Sequence, residues 1–249
     1  MRTIGLIGGM SWYSTAEYYK VINTEVQRRL GGHHSARLLM SSLDFEEVRA
    51  LQLCEDWAGA GELLADAARR LEGAGAELVL IGTNLMHKVA GAVEDAVSVP
   101  LLHIGDAVGA AATAAGYRTV GLVGTRWVMA EAFYADRLAR HGITTVVPAA
   151  GDQEMIDRFI FDELTQGVVT DDSRRAYVRA LGSLAGTGCD AVVLACTEIE
   201  LLLSPADSPL PLLDSMRCHA LAAAEAALAQ DGTAGAAILQ DDAAGTAPG

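Results

Sequence analysis

A thiol, a hydroxyl and a carboxylate follow one another at Cys196, Thr197 and Glu198, directly after an apolar run. If that run is a strand of a parallel sheet, Cys196 lies at the carboxyl edge, where open α/β sheets bind ligands. The start of the following helix supplies free N–H groups and a positive dipole end, which favour a thiolate. We therefore expect Cys196 to carry acid–base chemistry. The alternative is an inert packing residue, because free cysteines are often buried.

The chain contains an internal repeat that bears on this chemistry. Two stretches of the first half recur in the second: residues 3–8 as 119–124, and residues 76–84 as 189–197. Their separations are similar, since 76 − 3 = 73 and 189 − 119 = 70 residues. Thr83 is then the counterpart of Cys196. If the halves face each other about a pseudo-twofold axis, Thr83 and Cys196 flank one cleft, where a carbanion next to a carboxylate can be reached from both faces.

Alternating strands and helices must position these residues. Apolar runs predict strands at residues 3–7, 36–42, 77–82, 119–123, 144–147, 189–195 and 210–213. Helical periodicity predicts helices at 17–30, 56–73, 127–140, 153–164, 173–184 and 214–229. It also predicts a helix that follows residues 83–87 and runs to about residue 96. This alternation is typical of parallel α/β sheets. We predict two similar α/β lobes related by pseudo-twofold symmetry, with the active site in the cleft between them. The predicted boundaries are 1–99 plus 210–229, then 100–209, with 230–249 as a disordered tail.

Composition narrows the function classes. Half of the 249 residues are hydrophobic, which provides for a sizeable core. The net charge of −14 argues against nucleic acid or an anionic membrane as the partner. No apolar stretch approaches the roughly 20 residues that cross a bilayer, and the first residues lack a signal-peptide core. The four cysteines lack C-x-x-C spacing, so neither a zinc site nor a disulfide framework is indicated. We expect a cytoplasmic protein.

Several motifs together resemble the aspartate/glutamate racemase family. They are Gly8-Gly9-Met10-Ser11-Trp12, Thr83-Asn84-Leu85-Met86-His87, Leu102-His103-Ile104, Gly124-Thr125 and Cys196-Thr197-Glu198-Ile199. The likeness runs from the N-terminus to about Ala229. It implies a homodimer that acts on an amino acid or dicarboxylate without pyridoxal phosphate or metal. In the family two cysteines serve opposite faces of Cα. Cys196 matches the second, and Thr83 stands at the first, as in a branch that acts asymmetrically on L-enantiomers.

Two further departures concern substrate binding. Leu85 stands where the family usually has a hydroxyl residue that helps to hold the α-carboxylate. Arg49 can serve as the arginine that aspartate-specific members use for the side-chain carboxylate, but residues 162–167 offer no lysine partner. The sequence therefore departs from the arginine–lysine pair of the aspartate-specific members.

The remaining candidates lie at strand ends. Asn84 and Thr197 follow the paired strands and are candidate carboxylate or amine ligands, or simple helix caps. Met10-Ser11 and Thr125 occupy the equivalent places on the other two strands, as ligand contacts or as turn residues. Glu198 can orient the thiol or pair with the substrate ammonium. His87 and His103 belong to the motifs, but a lone histidine is more often structural.

Three functions are compatible with these residues. The first is a cofactor-independent amino-acid racemase or epimerase that exchanges the Cα proton through Cys196. The second is a decarboxylase or cis–trans isomerase of a small diacid on the same scaffold. The third is a degenerate member that binds a metabolite without turnover, which Thr83 and Leu85 motivate.

Overall fold

The structure is a computed structural model that describes residues 1–229, and two parallel four-stranded sheets form its centre. The first has the order β2-β1-β3-β4 and contains β1 (Ile4–Gly8), β2 (Leu38–Ser42), β3 (Leu78–Ile81) and β4 (Leu101–Leu102). The second has the order β6-β5-β7-β8 and contains β5 (Thr119–Gly124), β6 (Thr144–Val146), β7 (Ala191–Ala195) and β8 (Leu212–Asp214). The predicted two-lobed α/β class is confirmed. The predicted tail, residues 230–249, lies outside the described residues.

Helices cover both faces of each sheet. They are α1 (Trp12–Leu30), α2 (Phe45–Leu53), α3 (Trp57–Gly73), α4 (Ala90–Ala96), α5 (Ile104–Ala114), α6 (Arg126–Ala130), α7 (Ala132–Ala139), α8 (Ala150–Asp162), α9 (Asp171–Ala185), α10 (Ile199–Leu202) and α11 (Ser215–Leu228). Short 3₁₀ helices span Leu85–Val89, Leu164–Gln166 and Pro205–Asp207. The sequence did not predict α2 or α5. In α5, glycine and alanine supply seven of eleven residues, so the polar–apolar alternation that marks a helix is weak.

The sequence repeat reappears in the strand register. Ile4 of β1 lies opposite Leu78 of β3, and Val120 of β5 lies opposite Ala191 of β7. These four residues occupy matching positions of the repeat, so both halves pair their strands in the same way. The central strands β1 and β7 are buried along their whole length, as expected for parallel strands covered on both faces.

The last helix of each half packs on the sheet of the other half. The helix α5 follows β4 of the first sheet but joins an apolar cluster with Val120 and Val193 of the second. The helix α11 follows β8 of the second sheet and joins a cluster with Ile4 and Leu80 of the first. The two lobes therefore share their cores through a reciprocal exchange of helices.

Sheet pairing corrects two strands of the predicted lobe boundaries. The boundaries place residues 101–102 in the second lobe, but β4 pairs with β3 in the first sheet. They place residues 212–214 in the first lobe, but β8 pairs with β7 in the second. The reason is the helix exchange. The chain completes all four strands of the first sheet before α5 crosses to the second lobe, and all four strands of the second sheet before α11 returns to the first. The division at particular residues stays a prediction.

Candidate active site

The carboxyl edges of the two sheets face each other. Ser11, which follows β1, donates a hydrogen bond from its hydroxyl to Glu198 Oε1 at 2.6 Å, and Glu198 follows β7. Ser11 stands at the N-cap of α1, yet its side chain makes no capping bond there. The turn before it needs Gly9, whose φ is +88° and whose added Cβ would lie 2.1 Å from the Leu43 carbonyl oxygen. This turn therefore brings Ser11 to the other lobe.

Cys196 is held by the carboxylate of Glu198. The thiol donates to Glu198 Oε2 at 3.3 Å, and the Thr197 hydroxyl donates to the same oxygen at 2.8 Å. With Ser11 on the other oxygen, Glu198 accepts three hydrogen bonds while only 4% exposed. Cys196 itself is 7% exposed and lies directly after β7, as the sequence predicts. The carboxylate of Glu198 is therefore placed to accept the proton of the Cys196 thiol.

The expected lowering of the thiol pKa is wrong in this structure. Burial, followed by the negative charge of Glu198, raises the pKa of the Cys196 thiol well above its usual value. The helix that should have stabilised a thiolate, α10, has four residues and begins only at Ile199. A single helical turn has a small dipole, and the adjacent carboxylate outweighs it. The resting group is a thiol whose proton points at a base.

Two further carboxyl groups, those of Glu200 and Asp214, lie beside the thiol of Cys196 and the carboxylate of Glu198. Burial and a hydrogen bond to Asp214 raise the pKa of Glu200 to about 10, so Glu200 is neutral at pH 7. A cavity of about 30 Å³ lies between Glu198, Glu200 and the first turns of α1. That volume suits one water molecule and is far too small for an amino acid. A larger groove of about 470 Å³ runs along the outer face of α1, away from Cys196.

Thr83 occupies the matching place in the first lobe. It follows β3 and is partly exposed, and its carbonyl oxygen lies 2.8 Å from His87 Nδ1. Within residues 1–229 its hydroxyl has no hydrogen-bond partner. The N-cap of the following 3₁₀ helix is Asn84, so Thr83 is not that helix's cap. Its hydroxyl is thus available to water or to a ligand.

Asn84 is engaged within the protein. Its Nδ2 donates to Ser215 Oγ at 2.9 Å, and its Oδ1 accepts from the Tyr134 hydroxyl at 3.0 Å. Ser215 in turn donates to the Leu194 carbonyl at 2.7 Å. Asn84, which the sequence predicts to bind the substrate, therefore also connects β3 with α7 and α11 and, through Ser215, with β7. The sequence did not identify Tyr134 or Ser215, because these contacts span 50 and 131 residues.

Other predicted ligands differ in what their side chains offer. Met10 is buried in the core of the first lobe, and Leu85 packs with Trp127 of the second, so only their backbone groups remain for a ligand. Thr125 follows β5 and is buried, and its hydroxyl oxygen has no partner within the described chain. Buried hydroxyls are nearly always hydrogen-bonded, so Thr125 is suited to receive a ligand group.

Arg49 spans the two lobes. Its guanidinium carbon lies 3.5 Å from the centre of the Phe161 ring and 5.8 Å from that of Trp127. Its Nη1 donates to Gln52 Oε1 at 3.3 Å. Burial lowers the pKa of Arg49, although a guanidinium stays charged at neutral pH. The aromatic partners come from α6 and α8, and no motif in the sequence indicated them.

His87 and His103 have structural partners. Ile104 donates its backbone N–H to His87 Nε2 at 3.1 Å, and His103 Nδ1 accepts from Gly105 N at 3.0 Å as the N-cap of α5. No cluster of three or more histidine, cysteine or acidic residues within residues 1–229 has the arrangement of a metal site. None of the helices described combines the length and hydropathy that a bilayer crossing requires.

Comparison with known proteins gives a consistent match. The family described as Asp/Glu/Hydantoin racemase matches residues 7–223. A candidate Asp/Glu racemase from Yersinia pestis is 44% identical, with 92% of this chain and 100% of that chain covered and a TM-score of 0.86. An aspartate racemase homologue from Pyrococcus horikoshii OT3 is 34% identical, with 91% and 99% covered and a TM-score of 0.77. The aspartate racemase from Picrophilus torridus, at 20% identity and a TM-score of 0.73, shares the fold over 91% and 94%.

Proposed function

The chain belongs to the Asp/Glu/hydantoin racemase family, and from this premise we propose that it exchanges the Cα proton of a small amino acid without a cofactor. Family membership makes it an isomerase of the racemase type. In the proposal Cys196 serves one face of Cα and Thr83 the other. The observation that carries it is the thiol of Cys196 donating to Glu198 where the lobes meet.

Glu198 is the base that activates the thiol. The Sγ–H proton of Cys196 moves to Glu198 Oε2, and the thiolate then takes the Cα proton, leaving the electron pair on the substrate as a carbanion. A water held by the Thr83 hydroxyl protonates the carbanion from the opposite face. The resulting hydroxide is neutralised by the proton on Glu198, and the enzyme returns to its starting state. Because a neutral hydroxyl is a weak acid and base, conversion is slow and lopsided.

The carbanion needs donors at the substrate α-carboxylate, onto which its charge spreads. Thr125 supports this role because its buried hydroxyl has no hydrogen-bond partner among the residues that the structure describes. The backbone N–H groups of Asn84 and Thr197 complete the set at the ends of β3 and β7. Met10, Ser11 and Leu85 contribute contacts at the neighbouring turns, the first and last through their backbone.

Arg49 defines the proposed substrate class. Stacking on Phe161 leaves the edge of the guanidinium to form hydrogen bonds, and within residues 1–229 only Gln52 accepts one from it. One arginine without a lysine partner binds a side-chain carboxylate with modest strength. We therefore expect acidic amino acids as substrates, with weaker discrimination than a two-cation pocket gives.

The lobes must separate to admit a substrate. Cys196 is buried and the adjacent cavity holds about 30 Å³, so this structure is a closed form. The contacts that opening breaks include the ion pair of Lys88 with Glu131 and the stacking of Arg49 on Phe161. Phe161 packs against the apolar core of the second lobe, whereas Arg49, Lys88 and Glu131 lie outside it, so a hinge motion can break these contacts without opening that core.

The family resemblance also supports a homodimer in the cytoplasm as part of this proposal. Size-exclusion chromatography with light scattering measures the assembly directly. A monomer at micromolar concentration would contradict the dimer without touching the proposed chemistry.

Exchange in D₂O tests the proposed reaction. The purified protein is incubated with each enantiomer of aspartate, glutamate and other amino acids, and Cα deuterium is followed by NMR. We expect deuterium in acidic amino acids, at unequal rates from the two enantiomers. Cys196→Ser should lower the rate by about 100-fold or more, since a positioned acid–base group contributes 10²–10⁴-fold. Cys54→Ser, at an exposed thiol, is the matched control and should be unchanged.

Other outcomes identify the alternative functions. Release of carbon dioxide from a substituted malonate, or conversion of maleate to fumarate, would indicate the diacid reactions. Shifts in Tm with amino acids that persist in Cys196→Ser, without turnover, would indicate a binding protein. Absence of deuterium in every amino acid would overturn the racemase proposal.

A further inference from the structure

The imidazole of His87 makes two hydrogen bonds to the backbone at the site. It lies in the 3₁₀ helix directly after Thr83 and is 3% exposed. Its Nδ1 lies 2.8 Å from the Thr83 carbonyl oxygen, and its Nε2 lies 3.1 Å from the Ile104 backbone nitrogen. Because Ile104 N–H must donate, Nε2 is the acceptor and Nδ1 carries the proton. His87 is therefore a neutral imidazole in a single tautomer, donating to Thr83.

These bonds join the ends of two neighbouring strands of the first sheet. Thr83 lies two residues after β3, and Ile104 lies two residues after β4 and begins α5, which packs on the second sheet. The ring thus fixes the carbonyl of Thr83 relative to the start of α5. The backbone of Thr83 cannot rotate freely while that bond is intact.

The surroundings keep His87 neutral. Burial, followed by the charges that His103 and His219 could carry, lowers the pKa of His87 well below its usual value. The ring centroids of His103 and His219 lie 4.4 and 5.7 Å from that of His87. His219 is held between the Tyr18 hydroxyl and the Leu102 carbonyl. Protonation of His87 would break the bond from Ile104, and these neighbours oppose it.

The second lobe has a corresponding pair of different chemistry. Glu200 lies four residues after Cys196, as His87 lies four after Thr83. Asp214 lies two residues after Leu212 of β8, as His103 lies two after Leu101 of β4, and both act as N-caps. Beneath Thr83 the pair consists of imidazoles, and beneath Cys196 it consists of hydrogen-bonded carboxyl groups. The repeat therefore places an ionisable pair at matching chain positions near each face, buried beside Thr83 and partly exposed beside Cys196.

We propose that His87 is a positioning residue, whose Nδ1–H bond to the Thr83 carbonyl holds the Thr83 hydroxyl on its face of the substrate. The inference rests on the proposed racemase function and deepens it. It predicts that His87 affects proton delivery from the Thr83 side and leaves exchange from the Cys196 side intact.

Two substitutions separate the bonds of the ring. In His87→Asn the side-chain amide nitrogen replaces Nδ1 and keeps the bond to Thr83, while in His87→Gln the amide reaches the place of Nε2 and keeps only the bond from Ile104. Deuterium exchange with retention of configuration measures proton transfer by Cys196 alone. Conversion between enantiomers requires proton transfer on both the Cys196 and the Thr83 face. His87→Gln should lower the ratio of conversion to exchange roughly three- to tenfold, as expected for one lost hydrogen bond. His87→Asn should keep this ratio within about twofold of the wild type.

Controls distinguish positioning from general damage. His33→Gln, at an exposed histidine, should change neither rate. Equal loss of exchange and conversion in His87→Gln, or an unchanged ratio, would overturn the inference. The ¹³C signal of the Thr83 carbonyl provides a readout without substrate, and it should move in His87→Gln and stay near the wild-type value in His87→Asn. If the wild type shows no exchange the racemase proposal fails, and an unmoved carbonyl signal in His87→Gln then overturns the inference separately.

Discussion

At the scale of single residues, burial and the charge of Glu198 together keep the Cys196 thiol protonated. The buried carboxylate of Glu198 accepts a hydrogen bond from the Cys196 thiol and two more from the hydroxyls of Thr197 and Ser11. The same charge that raises the pKa of Cys196 makes Glu198 the natural acceptor when the thiol ionises. The Cys196 sulfur is therefore protonated at rest and protected from oxidation and alkylation, which require the thiolate.

Glu198→Gln should lower the pKa of Cys196 and slow catalysis together. The neutral amide no longer repels the thiolate and can donate to it, so the midpoint for alkylation should fall by roughly one to two pH units, since a hydrogen bond to a charged group is worth about 1.5–3 kcal/mol. Loss of the proton acceptor should reduce Cα exchange about 100-fold. Iodoacetamide labelling of the Cys196 peptide against pH, read by mass spectrometry, measures the first effect.

The matched control is Glu62→Gln, at an exposed carboxylate on α3. Its alkylation profile should coincide with that of the wild type. An upward shift of the midpoint in Glu198→Gln would show that the charge of Glu198 does not raise the pKa of Cys196.

At the scale of elements, the strand ends are fixed by side chains from distant helices. Asn84 accepts a hydrogen bond from Tyr134 of α7 and donates one to Ser215 of α11. The position of the turn after β3 therefore depends on β3, α7 and α11. Such a brace suits a site whose groups must face a substrate from two lobes. It also explains why a polar residue at this strand end is buried.

Asn84→Ala should destabilise the fold through the orphaned Tyr134 hydroxyl. A buried donor without an acceptor costs about 1–3 kcal/mol, and each kcal/mol lowers Tm by about 2–4 °C in a chain of this size. Thermal unfolding of Asn84→Ala, Tyr134→Phe and the double variant forms a double-mutant cycle. The double variant should be more stable than the sum of the single losses predicts, because Phe removes the orphaned hydroxyl. Additive losses would show that the two side chains are not coupled.

At the scale of the whole molecule, the two lobes are joined by exchanged helices and closed by a few polar contacts. The helices α5 and α11 bury apolar surface on the opposite sheet and form the permanent connection. The Lys88 ammonium, 4.0 Å from the centre of the Trp57 ring, reaches Glu131 of the second lobe at 2.6 Å. Closure therefore depends on this partly exposed ion pair together with the buried hydrogen bond from Ser11 to Glu198.

Glu131→Gln should favour the open form. A partly exposed ion pair is worth about 0.2–1 kcal/mol, so alkylation of Cys196 at fixed pH should become up to about fivefold faster. The matched control is Asp172→Asn, which breaks an exposed pair with Arg175 within α9 and should leave the rate unchanged. Equal rates in Glu131→Gln and wild type would show that this contact does not limit opening.

The sequence alone determined the class of fold and the strand end at which the candidate site lies. Apolar runs and helical periods are local, so they predicted the two parallel sheets and the strand end at Cys196. The internal repeat predicted that Thr83 and Cys196 are equivalent, and the strand register agrees with it. The weakly patterned helix α5 escaped prediction for the same reason, because its alanines and glycines give little periodic signal.

Only the tertiary structure decided the electrostatics and the partners of the site. The raised pKa of Cys196 depends on burial and on a carboxylate that Ser11 holds from 187 residues away. The membership of β4 and β8 followed from the exchange of α5 and α11, which no local pattern encodes. Secondary structure follows from neighbours along the chain, whereas proton affinity and hydrogen-bond partners follow from neighbours in space. That difference separates what the sequence of this protein determined from what its folding decided.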